Sequence, residues 1–177
     1  LGAIDCGLEL RGDVILESGI EEELGGSGGT LACFLRGVTA DAMIISEPSR
    51  EGLWISHPGI KYFRVRVKGR PAHAARSHEG VNAAAKMAPI IRALGALDES
   101  RAHSLSYPLL QQETGRACNL SIGIVRAGDW VSTVAGWAVI EGRIGFPPGE
   151  RGEDVREEVA RTIREATADD PWFDEHP

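Results

Sequence analysis

From Phe63 to Lys68 the chain alternates with period two: Phe63, Val65 and Val67 are separated by Arg64, Arg66 and Lys68. Few patterns constrain a fold as tightly, because side chains on a strand point alternately to opposite faces. This strand must lie in a sheet with one face on a core and the other in water. Two further alternations follow, Leu120, Ile122, Ile124 and then Ala138, Ile140, Gly142, Ile144, the last stopped by Pro147 and Pro148. Between the first and second, Met87, Ile90, Ile91, Leu94 and Leu97 form one helical stripe over residues 81–97. Pro89 lies inside it and is expected to kink the helix or leave a carbonyl unpaired. Val155, Val159, Ile163 and Ala166 predict a second amphipathic helix over about 153–168. The stretch 98–117 is polar and irregular and reads as a long loop. Strand, helix, strand, strand, helix is a ferredoxin-like split βαβ lacking its last strand, which is expected after Pro177.

The first third of the chain has a different character. Val14, Ile15 and Leu16 form a short continuous apolar run, the signature of a strand buried on both faces, over 13–18. A helix is predicted over 27–36, with Ser27 as its cap, Leu31, Phe34 and Leu35 at helical spacing, and Gly37 ending it. A second buried strand is predicted over 41–46. This order suggests part of a mixed α/β layer with a parallel sheet. Residues 1–10 read like the tail of a helix, and the chain does not begin with methionine, so an internal segment of a longer protein is expected. The predicted division is 1–57, part of an α/β domain, and 58–177, the ferredoxin-like domain.

Bulk properties narrow the function classes. With 177 residues and 42% hydrophobic content, the chain can bury a core. A formal charge of −7 opposes nucleic acid as the main partner, which would need a basic face. Cys6, Cys33 and Cys118 have neither zinc-site spacing nor an even disulfide framework, so reduced thiols in a cytoplasmic protein are expected. No apolar run approaches the ~18 residues of a membrane span, and no signal peptide is visible, so no membrane partner is expected.

Chemistry concentrates where the first predicted strand ends. Glu21, Glu22 and Glu23 run into the turn Gly25-Gly26-Ser27-Gly28-Gly29. Adjacent carboxylates repel unless a cation neutralises them or one keeps its proton, and carboxylate oxygens suit divalent metals. Glu47 follows the second predicted strand and is fixed by Pro48, a placement that suits a ligand. Three consecutive glutamates also read equally well as a solvated loop. A phosphate cradle is disfavoured, since the glycine run lacks a P-loop lysine and glutamates beside it would repel phosphate.

Three stretches together, EEELGGSGGTLA, ADAMIISEPS and GIKYFRVRVKGRPAHAARSHEGVNAAAKMAPIIRAL, resemble the zinc-dependent amidohydrolases and peptidases typified by acetylornithine deacetylase, succinyl-diaminopimelate desuccinylase and carboxypeptidase G. The resemblance implies a metal-dependent hydrolase that cleaves the amide of a small N-acyl amino acid or dipeptide-like substrate. It implies Glu22 as general acid/base, Glu23 and Glu47 as ligands of two divalent metal ions (zinc, with cobalt or manganese as alternatives), and no direct role for Glu21. It also implies that residues 58–177 form a lid and dimerisation domain, and that His73 reaches across a homodimer to help hold the oxyanion. Asn119 and Arg143 would bind the substrate's carbonyl and carboxylate. Read without the resemblance, His73 is a hydrogen-bonded loop histidine, and Arg143 an outward strand residue paired with Glu141 or a neighbour. The remaining ligands of such a site, a His-x-Asp motif, a bridging aspartate and a late histidine, have no counterpart here, so this segment alone is expected to be inactive. The alternative function is a non-catalytic dimerisation or interaction module, because a ferredoxin-like sheet can pair through an edge.

Overall fold

A computed structural model describes residues 5–7, 9–48 and 51–176. Contacts divide the chain into two units, Leu1–Gly52 and Leu53–Pro177.

The second unit contains the predicted alternations as an antiparallel sheet: β1 (Gly59–Lys68), β2 (Leu120–Ala127) and β3 (Trp137–Phe146), in the order β1-β3-β2. The register pairs Val65 with Ile140 and Val67 with Ala138 on one side, and Leu120 with Ile144 on the other. This places Phe63, Val65 and Val67, Leu120 and Ile122, and Ala138, Ile140 and Ile144 on one face, while Ile124, beyond the bulge, turns to the other. A bulge at Gly123 shifts the β2 register between Ile122 and Ile124, as expected where a glycine interrupts a strand. Strands and helices alternate as in a split βαβ without a fourth strand, so β1 and β2 are the sheet's two edges.

Two helices cover the apolar face. We number the helices in chain order: α1 (Thr30–Leu35), α2 (Ala83–Ser104), α3 (Pro108–Thr114), α4 (Gly152–Thr167) and α5 (Trp172–Glu175). Asn82 caps α2, its side-chain oxygen accepting from the amides of Ala84 at 2.9 Å and Ala85 at 3.4 Å; such a cap is worth about 1 kcal/mol. Met87, Ile90 and Leu94 on α2 and Val155 on α4 are fully buried against Ile140 and Ile144, each such side chain contributing roughly 1.5–3 kcal/mol.

Helix α2 runs through Pro89 and beyond residue 97, into the stretch read as a loop, and α3 occupies most of the rest. The reason lies in the next position of the buried stripe, which is Arg101. Its guanidinium is 5% exposed and pairs with Glu150 through two bonds of 3.0 and 2.7 Å. It also pairs with Glu158 and donates to the Gly145 carbonyl at 3.3 Å. Burial alone would favour the neutral form, but the hydrogen bonds and charges of Glu150 and Glu158 outweigh it, and the Arg101 pKa is raised. A hydrophobicity stripe cannot register a residue that is buried because it is paired. Asp98, one turn earlier, accepts from the Leu120 amide at 2.6 Å and from Arg116 at 3.0 Å, fastening α2 to the start of β2.

The first unit departs from expectation. Residues 13–18 and 41–46 form no strand, and among the described residues of this unit no ladder pairs with them. Leu16 is 93% and Ile44 94% exposed. A strand buried on both faces needs neighbours on each side, and the described residues supply none. The predicted helix shortens to α1, and Ser27 does not cap it: Gly29 holds the cap position without a side-chain bond. Gly37, with φ of +88°, follows as the left-handed terminator, its amide bonded to the Phe34 carbonyl at 2.9 Å. The helix tail read over 1–10 falls partly outside the described residues.

Candidate functional site

The glutamate run is a built turn. Glu22–Leu24 form a single 3-10 turn, and Glu21 precedes it in the left-handed region at φ 63°. A non-glycine residue holds that conformation only when its surroundings fix it. Here the Glu21 carboxylate accepts from the Gly28 amide at 2.9 Å, and its carbonyl accepts from Gly26 at 2.7 Å. The glycine loop is thereby folded back onto Gly19 and Ile20. Gly29 allows the closest approach, because a Cβ there would lie 2.4 Å from the Ile20 carbonyl oxygen. Glu21 therefore serves the turn's geometry, a role that composition gave no signal for. The side chains of Glu22 and Glu23 are exposed and make no hydrogen bond or ion pair among the described residues.

Glu47 is likewise exposed. Among the described residues, no three histidine, cysteine or acidic side chains come together to hold a metal. The donor set fits a share of a divalent centre, hard oxygen ligands on a fixed turn, and not a whole one; zinc in particular wants nitrogen or sulfur donors and four-coordinate closure.

His73 lies in a loop clamped on both sides. Its backbone bridges to Thr133, the Ala74 amide donates to Ser132 at 2.9 Å, and the Val134 amide to Ala72 at 2.9 Å. Gly69, where the chain leaves β1, allows the clamp: a Cβ there would meet the Val81 carbonyl at 2.4 Å and the Ala135 carbonyl at 2.7 Å. The ring Nδ1 accepts from the Ala75 amide at 3.1 Å. In the neutral ring the proton must then sit on Nε2, which makes that atom a donor. His73 is thus the hydrogen-bonded loop histidine of the plain reading, and the same bond leaves it an exposed, oriented N–H.

Arg143 does not pair with Glu141, which is bound by Arg64 at 3.1 Å; Arg143 is exposed and has no carboxylate partner among the described residues. Its register partners are Tyr62 and Ser121, so exposed Asn119, just before β2, stands close by. His73 belongs to the other end of the sheet, beyond the Lys68–Trp137 pair. About 20 Å of strand separates the two ends. Within one chain, His73 is not brought together with Asn119 and Arg143. Among the described residues no helix is long and apolar enough to cross a membrane.

A three-stranded antiparallel sheet backed by two helices, with a clamped loop histidine at one end, defines a small α/β lid-type domain. Residues 55–171 match the family described as peptidase dimerisation domain, of the M20 amidohydrolases and peptidases, and the chain belongs to it. Across 97% of its length the chain is similar to N-formyl-4-amino-5-aminomethyl-2-methylpyrimidine deformylase of Bacillus subtilis, at 28% identity and over 42% of that protein. Across 83% it is similar, at 30% identity, to a "Probable carboxypeptidase" of Trichophyton verrucosum, over 32% of that protein. The chain therefore spans less than half the length of these relatives. A solved structure described as an aminohydrolase of methicillin-resistant Staphylococcus aureus shares the fold over 64% of this chain and 26% of that one, with a TM-score of 0.51 and 17% identity.

Proposed function

We propose that the complete protein is a metal-dependent hydrolase that cleaves the amide bond of a small N-acyl amino acid or related amide. In this reading residues 1–57 form part of its catalytic domain and 58–177 its lid and dimerisation domain. One observation carries it: two adjacent carboxylates, Glu22 and Glu23, stand free on a turn that a third glutamate fixes in place. The names of the relatives support it, since deformylase and carboxypeptidase both denote cleavage of a bond between an acyl carbon and nitrogen.

Glu23 and Glu47 would be this chain's ligands to a pair of divalent ions, zinc first and cobalt or manganese as alternatives. Such ions, when bound, acidify a water and stabilise the charge that develops on the carbonyl oxygen. Glu22 carries a proton from the attacking water to the leaving nitrogen. His73 donates its Nε2–H to the oxyanion, and its distance from Asn119 and Arg143 suits action at the site of the other protomer in a homodimer. Asn119 and Arg143 orient the substrate through its carbonyl and its carboxylate, the latter matching a guanidinium fork. Free thiols at Cys6, Cys33 and Cys118 accord with a reducing, cytoplasmic setting.

In the complete protein, Glu22→Gln should lower kcat roughly 10²–10⁴-fold with metal content unchanged, whereas Glu23→Gln should lower metal occupancy as well. Reversed phenotypes would shift the assignment by one residue. Mixing Glu22→Gln with His73→Ala subunits should restore part of the activity, because a mixed dimer keeps one intact composite site; no recovery after verified subunit exchange removes His73 from the partner's site. The 177-residue chain alone should retain little zinc and hydrolyse nothing. The second reading, a non-catalytic dimerisation module, is favoured by the confinement of the family match to residues 55–171. It prevails if the complete, metal-loaded protein cleaves no N-acyl substrate.

A further inference from the structure

The face of the sheet turned away from the helices is bare, and its register gathers cations at one end. Alternation places Tyr62, Arg64, Arg66 and Lys68 of β1 on this face, and Trp137, Val139, Glu141 and Arg143 of β3. After the bulge, Ile124 and Arg126 of β2 join them. Arg66, Val139 and Arg126 are register partners in one row across three strands, and the next row pairs Lys68 with Trp137. Neighbouring strands are about 4.8 Å apart and same-face residues about 6.8 Å apart along a strand. Arg66, Lys68 and Arg126 therefore form a triangle whose side chains can converge over the half-buried Val139 and Trp137.

Among the described residues no ion pair neutralises this triangle. The one carboxylate on this face of β1 and β3, Glu141, is taken by Arg64 in the preceding row. Asp129, near the end of the sheet, accepts the Trp137 indole N–H at 3.0 Å. Among the described residues no carboxylate lies within ion-pair distance of Arg66, Lys68 or Arg126, and all three are exposed. Elsewhere on this unit most cations are paired, among them Lys61 with Glu153, Lys86 with Asp170, Arg101 with Glu150 and Arg116 with Asp98. Arg70, Arg92, Arg143 and Arg151 have no ion pair among the described residues but stand apart from one another. A chain that carries −7 overall and pairs most of these cations leaves three clustered and free at the end of the sheet that bears His73.

We propose that Arg66, Lys68 and Arg126 form a carboxylate-binding surface that receives a second anionic group of a substrate presented to His73, distinct from the carboxylate given to Arg143. Its occupant is a small molecule carrying two carboxylates, because three cationic tips above an apolar floor complement a compact anion. A polynucleotide fits less well, since the acidic remainder of the chain would repel it. The assignment to substrate rests on the hydrolase reading; the binding of a dicarboxylate does not.

Two measurements separate these parts. First, glutarate is titrated into the 177-residue chain while the backbone amide signals of Val139 and Trp137 are followed by NMR. Saturable shifts are expected in the parent chain and in Arg92→Gln, a substitution of an exposed α2 arginine. They should weaken at least fivefold in Arg66→Gln and Arg126→Gln. Shifts that persist unchanged in both variants, or tighter uptake of a single-stranded oligonucleotide than of glutarate, overturn the proposal. Second, the complete protein is assayed with an amino acid whose N-acyl group ends in a carboxylate and with the same compound whose acyl end is an uncharged carboxamide. The Arg66→Gln and Lys68→Gln variants should lose about tenfold in kcat/KM on the carboxylate substrate and less than twofold on the carboxamide. Equal losses on both remove the substrate assignment. Glutarate binding in a protein that cleaves neither compound would leave the anion site standing and overturn the hydrolase reading.

Discussion

Ile44 and Ile140 both sit in apolar runs, yet Ile44 is 94% exposed and Ile140 is wholly buried. Around Ile140, every second residue of β3 faces two helices supplied by the same 125-residue unit, Leu53–Pro177. Around Ile44, consecutive residues are apolar, so the segment needs cover on two faces and a hydrogen-bonded neighbour on each side. Among the described residues of Leu1–Gly52, regular structure is limited to one six-residue helix, one 3-10 turn and helical backbone at Asp5. An alternating run can be completed by a single packed layer; a continuous one demands a larger assembly. The comparison teaches that apolar content alone does not say whether a segment carries its own core.

Hydrogen exchange on the 177-residue chain offers the sharpest test. Amides of α2 and β3 should be protected by orders of magnitude more than those of 13–18 and 41–46, which lack ladder partners. Equal protection would mean that the first unit builds a core as complete as the second. Next in size is Arg101→Ala, which strands Glu150 and Glu158 without their cation. Breaking a buried pair from one side costs about 3–5 kcal/mol, to be read from urea unfolding of the second unit. Ile140→Ala should cost about 2–5 kcal/mol in the same measurement, while Ile44→Ala stays within about 0.5 kcal/mol. A large cost at Ile44 would break the contrast directly. The smallest effect concerns acid. Lys86 holds the Asp170 carboxyl below its ordinary range, chiefly through bonds of 2.7 and 2.6 Å. A carboxyl lowered in the folded state adds stability above its unfolded pKa, near 4, and loses it as pH falls through the lower folded value. Asp170→Asn should therefore flatten the acid limb of the stability profile below about pH 4, with little change in its slope above pH 5.

What the sequence made legible follows the same division. The three strands, both long helices and their order could be read because period-two and helical stripes report one-sided burial. The continuation of α2 to Ser104 was hidden because its deepest later residue is an arginine whose partners lie about fifty residues onward. In the glutamate run, residue types marked adjacent carboxylates as candidates, but no local rule revealed that Glu21 would turn its carboxylate back to the Gly28 amide seven residues away. The separation of His73 from Arg143 depends on register, which emerges only when strands pair. The cationic triangle was half visible, as the wet residues of β1, and needed β2 laid beside β3 to appear.

The sheet order has a consequence for biosynthesis. β2 and β3 are sequence neighbours and can zip together as soon as both have left the ribosome, but β1 must wait for β3. Lys68 meets Trp137 about seventy residues later, and Gly59 meets Phe146 later still. At roughly 5–20 residues per second, β1 emerges about 4–14 s before its partner exists. Throughout that interval its Phe63, Val65 and Val67 side chains have no sheet to join, while the charges of Arg64, Arg66 and Lys68 alternate with them and discourage pairing with another nascent chain. The same cations that dress one face of the finished sheet thus act earlier as gatekeepers, keeping the first strand apart until the third arrives.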